Sequence, residues 1–153
     1  MTTQQTHDYL TELATFQVGE ALCGMEIQHI QEIITLSQFT RVPQAAADVL
    51  GLLNLRGQIV TVIDLARRME LAITSPTAES RVIIVNIGGG KVGILVHRIN
   101  DVVSVHLKQT ETAPANLRGI QGRFFTGVCK QENNLIGLLH LNRLFNHEEM
   151  IEN

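Results

Sequence analysis

Short apolar runs rich in β-branched residues recur along the chain, and Gly- or Asn-bearing turns separate them. That rhythm predicts small sandwiches or barrels built from hairpins. The strongest instance is GLLNLRGQIVTVIDL, residues 51–65, where an Asn54-Leu55-Arg56-Gly57 turn divides two apolar runs. Beyond the turn Ile59, Thr61, Ile63 and Leu65 alternate with Val60 and Val62, so both faces of the strand are apolar and need cover. Gly57 supplies the permissive backbone of a tight turn, and Asn54 tolerates positive φ. Arg56 is the one charge in the element. Two readings of it stay open: a solvated turn arginine, or a paired one that fixes the turn or a partner.

The same pattern predicts a hairpin of residues 13–18 with 21–27 across Gly19-Glu20. Residues 28–36 have helical spacing at Ile30, Ile33 and Ile34, but their β-branched content favours a strand. After Arg41-Val42-Pro43, the Ala-rich residues 44–49 are expected to make one or two helical turns, and residues 66–71 another. Residues 73–80 have loop composition and are the expected connection between two halves. A hairpin around Gly88-Gly89-Gly90 joins 81–87 to 91–96. Val103, Val105 and Leu107 then alternate with Ser104, His106 and Lys108, giving a strand with one wetter face. Residues 109–122 read as irregular around Pro114. A last hairpin pairs 124–130 with 135–141, and 142–152 read as helix with Leu144, Phe145 and Met150 inward. Residues 1–12 are expected to be a flexible arm, and residues 13–150 a single domain of two intertwined parts.

Length and charge narrow the function. A chain of 153 residues fits one domain or two very small ones, and buries roughly 68–70% of its unfolded surface. Net charge of −3, three lysines and 4% aromatic residues leave neither a phosphate-tracking surface nor stacking platforms, so nucleic acid is not an expected partner. Cys23 and Cys129 sit inside apolar strands without C-x-x-C spacing, as buried reduced thiols do. The polar N-terminus has no signal-peptide pattern, and no apolar run approaches the ~20 residues of a membrane span, so a cytoplasmic protein without direct membrane insertion is expected.

Catalytic patterns fail one by one. Gly88-Gly89-Gly90-Lys91 lacks the Walker spacing at Val85 and Val92. His7, His29, His97, His106, His140 and His147 show no metal-ligand spacing. The serines lack a nucleophile elbow, and Glu148-Glu149 reads as a solvated helix face. No enzyme, metal or cofactor is indicated; double-faced strands and many β edges read as a binding module.

The Asn54-Leu55-Arg56-Gly57 turn with Asp64-Leu65 resembles the signature of the CheW-like chemotaxis coupling proteins. Residues 16–33 (FQVGEALCGMEIQHIQEI), 92–105 (VGILVHRINDVVSV) and 124–145 (FFTGVCKQENNLIGLLHLNRLF) follow in the family's order, and the resemblance covers roughly residues 13–150. It implies two small five-stranded SH3-like barrels packed side by side, with short helices including one at the C-terminus. It also implies a non-enzymatic adaptor that couples chemoreceptors (methyl-accepting chemotaxis proteins) to the histidine kinase CheA through the kinase's regulatory domain, in the cytoplasm at membrane receptor arrays. The receptor-facing positions it carries over are Ile30, Glu32, Gly51, Asn54 and Arg56, extended by Val102 and Val103, with Glu32 expected to pair with Arg56. Thr61, Ala46 and His97 depart from the family pattern where Pro, Pro and Asp are common. Those departures leave open an adaptor of another chemosensory pathway, such as twitching motility or surface sensing. A small-molecule sensor is a further alternative. With no receiver-like extension after residue 153, the fused coupling proteins of the family are not expected.

Overall fold

The computed structural model describes residues 10–72 and 75–145. The chain opens with the hairpin β1 (Leu10–Val18) and β2 (Ala21–Glu26), then makes a short 3-10 turn at Ile27–His29. Five strands follow: β3 (Ile30–Thr35), β4 (Val49–Leu55), β5 (Gln58–Asp64), β6 (Arg81–Ile87) and β7 (Gly90–Val96), with helix α1 (Leu65–Arg68) after β5. Next come β8 (Arg98–His106), the short β9 (Asn116–Leu117) and β10 (Ile120–Gln121), β11 (Phe125–Gln131), β12 (Asn134–Leu139) and helix α2 (Leu141–Leu144). They form two five-stranded sheets, β11-β12-β2-β1-β8 and β3-β6-β7-β5-β4, and a two-stranded one, β9-β10.

The two sheets share one plan. Each joins two hairpins through a parallel pair, β2 with β12 in the first and β5 with β7 in the second, and adds one outer strand, β8 or β3. Each then curls so that the chain after the outer strand reaches the opposite edge. Thr40 exchanges backbone hydrogen bonds with Leu52 (2.8 and 2.7 Å), and Glu111 with Val128 (2.9 and 2.8 Å). A glycine permits each closure. A Cβ on Gly51 would lie 2.4 Å from the Thr40 oxygen, and one on Gly127 would lie 2.7 Å from the Glu111 oxygen. Both glycines also sit where the ladder shifts register.

Strands with two apolar faces find cover on both sides, as their sequence demands. Leu53, Val60, Val62, Val82, Ile84 and Leu95 fill the second barrel, and Leu13, Val105, Cys129, Ile136 and Leu138 the first. The alternate positions, among them Ile63, Ile83, Val85 and Ile94, meet Phe16, Val18, Cys23 and Met25 in a larger cluster between the barrels. Each fully buried side chain of this size stabilises the fold by roughly 1.5–3 kcal/mol.

Several expectations need correction. Residues 44–49 form turns: Ala45 N–H donates to Val42 O at 3.3 Å and Val49 N–H to Ala46 O at 3.0 Å. Pro43 fixes the first central position, Gln44 takes φ 68°, which no helix continues, and Val49 is already drawn into β4 beside Ile63. The segment 73–80 lies between β5 and β6, two strands of the same sheet; the chain crosses between sheets at Ile27–His29 and at His97. The stretch 109–122 contains β9 and β10. Of the helix expected over 142–152, α2 spans Leu141–Leu144, while residues 146–152 lie outside the described ones.

Candidate partner-binding surface

Leu55 pairs with Gln58, so Arg56 and Gly57 alone make the β4–β5 loop. Both have positive φ, 49° and 87°, the two-residue turn whose twist matches its strands. Asn54 stays in β4, and its Oδ1 accepts the Gly57 N–H at 2.9 Å. The positive φ expected at Asn54 therefore falls on Arg56, because the side-chain acceptor works from one residue before the loop. The same four residues recur at Asn116-Leu117-Arg118-Gly119 with the same geometry: φ is 51° and 95° at Arg118 and Gly119, and Asn116 Oδ1 accepts the Gly119 N–H at 2.9 Å. The repeat of the tetrapeptide is visible in the sequence and was the missed signal for the β9–β10 hairpin.

What separates the two turns is Glu32. It projects from β3, the edge of the second sheet opposite β4, and takes both terminal nitrogens of Arg56, with Nη1 3.4 Å from Oε1 and Nη2 on Oε2. The fork thus spans the mouth of the second barrel. The Arg56 hydrogen bond holds the Glu32 carboxyl below the usual carboxylate range, against a smaller opposing effect of desolvation; the charges of Arg56 and Lys91 add to the lowering. Glu32 in turn raises the Arg56 pKa. The arginine side chain is 68% exposed. An ion pair this open adds little to stability, so its effect is to fix where the guanidinium sits.

Around this fork the expected residues divide. Asn54 is exposed beside it; Ile30 is half-buried against the cluster between the barrels; Gly51 is buried under Phe39 and Thr40, where it serves closure of the barrel. Val102, 55% exposed, and Val103, half-buried against the core of the first barrel, belong to β8 in the other sheet. No hydrogen bond or ion pair found among the described residues ties them to Arg56. Sequence reasoning passed over Ile59, which faces Asn54 across the hairpin and is 64% exposed, and Ile33 at 39% on β3. Counting Ile59 only as one of two apolar faces concealed that the second residue after the loop lies beyond the barrel's cover.

The departures from the family pattern have local roles. His97 Nδ1 accepts the Gly19 N–H at 2.8 Å and its own N–H donates to Gln17 O at 3.0 Å, tying the β1–β2 turn to the crossing between sheets. Thr61 continues the ladder between Leu52 and Val92, and Ala46 begins the turn before β4, its carbonyl accepting the Val49 N–H. Cys23 and Cys129 are free and buried; burial pushes the Cys23 thiol up to about 12 and raises that of Cys129.

The family model for the CheW-like domain matches residues 12–149 of this chain. The chain belongs to the CheW-like family. Among curated relatives of this CheW-like chain, the chemotaxis protein CheW of Treponema pallidum is 31% identical over 150 residues, covering 94% of this chain and 87% of that protein. The chemotaxis protein CheW of Bacillus subtilis is 30% identical over 137 residues, covering 90% and 88%. The crystal structure of the scaffolding protein TtCheW from Thermoanaerobacter tengcongensis superposes with a TM-score of 0.82 at 29% identity, covering 91% of this chain and 90% of that one. The CheW-like fold expected from the sequence, mainly β with two five-stranded barrels side by side, is the one observed.

Proposed function

We propose that this CheW-like chain is a non-enzymatic scaffold of a chemotaxis system, coupling the cytoplasmic tips of chemoreceptors to the regulatory domain of the histidine kinase CheA. The observation that carries the reading is the Arg56–Glu32 fork. A positively charged group is held in a left-handed turn, mostly exposed, next to Asn54 and the uncovered Ile59, in a family whose named relatives are chemotaxis proteins. A rigid guanidinium bordered by apolar side chains suits a helical partner that offers an acidic or amide group within an apolar stripe. Signal would pass through how two partners are held relative to each other, with no bond made or broken. No helix among the described residues is long and apolar enough to cross a membrane, which fits recruitment to receptor arrays from the cytoplasm.

Calorimetric titration of the protein with the regulatory domain of a CheA encoded in the same genome, and separately with a soluble receptor-tip hairpin, tests the proposal. One-to-one binding to both is expected, at micromolar dissociation constants or tighter. Binding to neither overturns the coupling role and directs the search to a kinase of another chemosensory pathway.

A further inference from the structure

Five of the chain's nine arginines meet on one side of the molecule, although the chain carries a net charge of −3. Arg67 and Arg68 close helix α1, Arg118 sits in the β9–β10 turn, Arg123 in the 3-10 turn Gly122–Phe124, and Arg143 in helix α2. Their contacts draw them together. Arg67, Arg68, Glu70 and Leu71 line one open pocket. Arg123 Nη2 donates to Glu70 Oε2 at 3.1 Å, and Arg143 Nη1 to the Arg123 carbonyl at 3.2 Å. Arg68 donates through Nε to the Leu144 carbonyl of α2 and through Nη1 to Asp48 Oδ2 at 3.0 Å. Leu71 links the last member: a Cβ on Gly119, the residue after Arg118, would lie 3.5 Å from its Cδ2. Asp48 and Glu70 match two of the five guanidiniums. Even with Glu20, in the turn that meets Leu71 through Gly19, the face keeps a surplus of positive charge. It is also separate from the Arg56 fork. That fork precedes Gln58 and α1 follows Asp64, so the two lie at opposite ends of β5, roughly 20 Å apart.

Arg118 indicates what this face takes. Its φ of 51° is left-handed backbone, costly for a residue with a Cβ and ordinarily left to Gly or Asn. The residue is exposed, and among the described residues no hydrogen bond or ion pair holds its guanidinium. In the identical tetrapeptide of the second barrel, Arg56 closes on the Glu32 carboxylate. We propose that the arginine face docks a carboxylate-rich segment of a partner protein, with Arg118 forking onto one of its carboxylates as Arg56 does onto Glu32. This goes beyond the coupling reading and does not depend on it. Charge complementarity selects the occupant, because a planar guanidinium matches a carboxylate through two parallel hydrogen bonds. The face is open and polar, with the side chains of Arg123 and Glu70 55% and 57% exposed. Attraction there steers and orients a partner and is screened by salt.

Fluorescence anisotropy of the full-length protein with a labelled peptide of Glu-Ala repeats tests the proposal, with a Gln-Ala peptide of the same length as control. The Glu-Ala peptide is expected to bind, more weakly as salt is added, and the Gln-Ala peptide not to bind. Arg118→Asn keeps a residue suited to left-handed backbone, so the melting temperature should be equal or higher while peptide affinity falls about fivefold or more. Lys130→Gln, at the far end of β11 from Arg123, should leave the affinity unchanged. If Arg118→Asn does not fold, Arg118→Gly is read by the same standard. Absence of binding to the Glu-Ala peptide overturns the inference, and so does equal weakening by Arg118→Asn and Lys130→Gln, the mark of diffuse attraction. Full displacement by millimolar inorganic phosphate at constant ionic strength assigns the face to phosphate groups and overturns it as well. Peptide binding that appears only in the variant Glu148→Gln, Glu149→Gln, Glu152→Gln assigns the face to the chain's own acidic residues, with the same consequence.

Discussion

Arg56 and Arg118 hold the same position in the same turn, and among the described residues only Arg56 has a carboxylate to grip. Left-handed backbone is costly for any residue with a Cβ, so Arg56 is a poor choice for the turn alone. Arg56→Asn should therefore leave the melting temperature equal or higher, while receptor-tip affinity, read by calorimetry, falls at least about tenfold. Equal weakening toward both partners together with a lower melting temperature would make Arg56 a turn residue only. Because the Glu32 carboxyl is held below its ordinary range, the fork is complete at neutral pH and is lost only as pH falls through that depressed pKa. Receptor binding should accordingly stay flat from neutral into mildly acidic solution, a profile that calorimetry at several pH values checks. Cys23 works in the opposite sense. Its thiol is raised from 9.0 to about 12 by burial, so folding favours the neutral form, and the stability this contributes is present below pH 9 and lost between about 9 and 12. Alkylation of Cys23 should be undetectable in the native protein at mildly alkaline pH and rapid after denaturation, as mass spectrometry can show.

Barrel closure at the level of strands depends on two glycines. Gly51→Ala places a methyl group against the Thr40 carbonyl, and Gly127→Ala against that of Glu111. Backbone oxygens cannot swing aside as a flexible side chain does, so each should destabilise the protein by roughly 2–4 kcal/mol in denaturant titration. Helix α1 poses a different balance. Asp64 Oδ1 accepts the Ala66 N–H at 3.1 Å, yet burial raises the Asp64 pKa. Asp64→Ala loses the cap at about 1 kcal/mol; Asp64→Asn keeps an acceptor without a buried charge and should be neutral or stabilising. The hairpins were legible from alternation because each strand is long enough to show a period. Residues 44–49 were misread because alanine content speaks for helix, while Pro43 and the pull of β5 on Val49 decide otherwise. The β9–β10 pair, two residues a side, is too short for any period, and the 24-residue separation of Glu32 from Arg56 has no local signature; their pairing was implied by family resemblance alone.

For the molecule as a whole, the cluster between the barrels makes each barrel depend on the other. Ile63, Ile83, Val85 and Ile94 of the second barrel are covered only when Phe16, Val18, Cys23 and Met25 of the first are in place. Calorimetric unfolding should therefore show a single cooperative transition, and two resolved transitions would contradict a shared core. That two faces of each strand needed cover was readable from residues 58–65; that the first sheet is assembled from both ends of the chain was not, since pairing across such a distance leaves no trace in local pattern. The chain order of that sheet bears on how the protein is made. During synthesis β3 to β7 leave the ribosome as an unbroken run that can close the second barrel early, whereas the β1–β2 hairpin, made before them, must wait for β8, β11 and β12. A hairpin made before the second barrel is thus housed after it, and its uncovered edges are what a chaperone would meet.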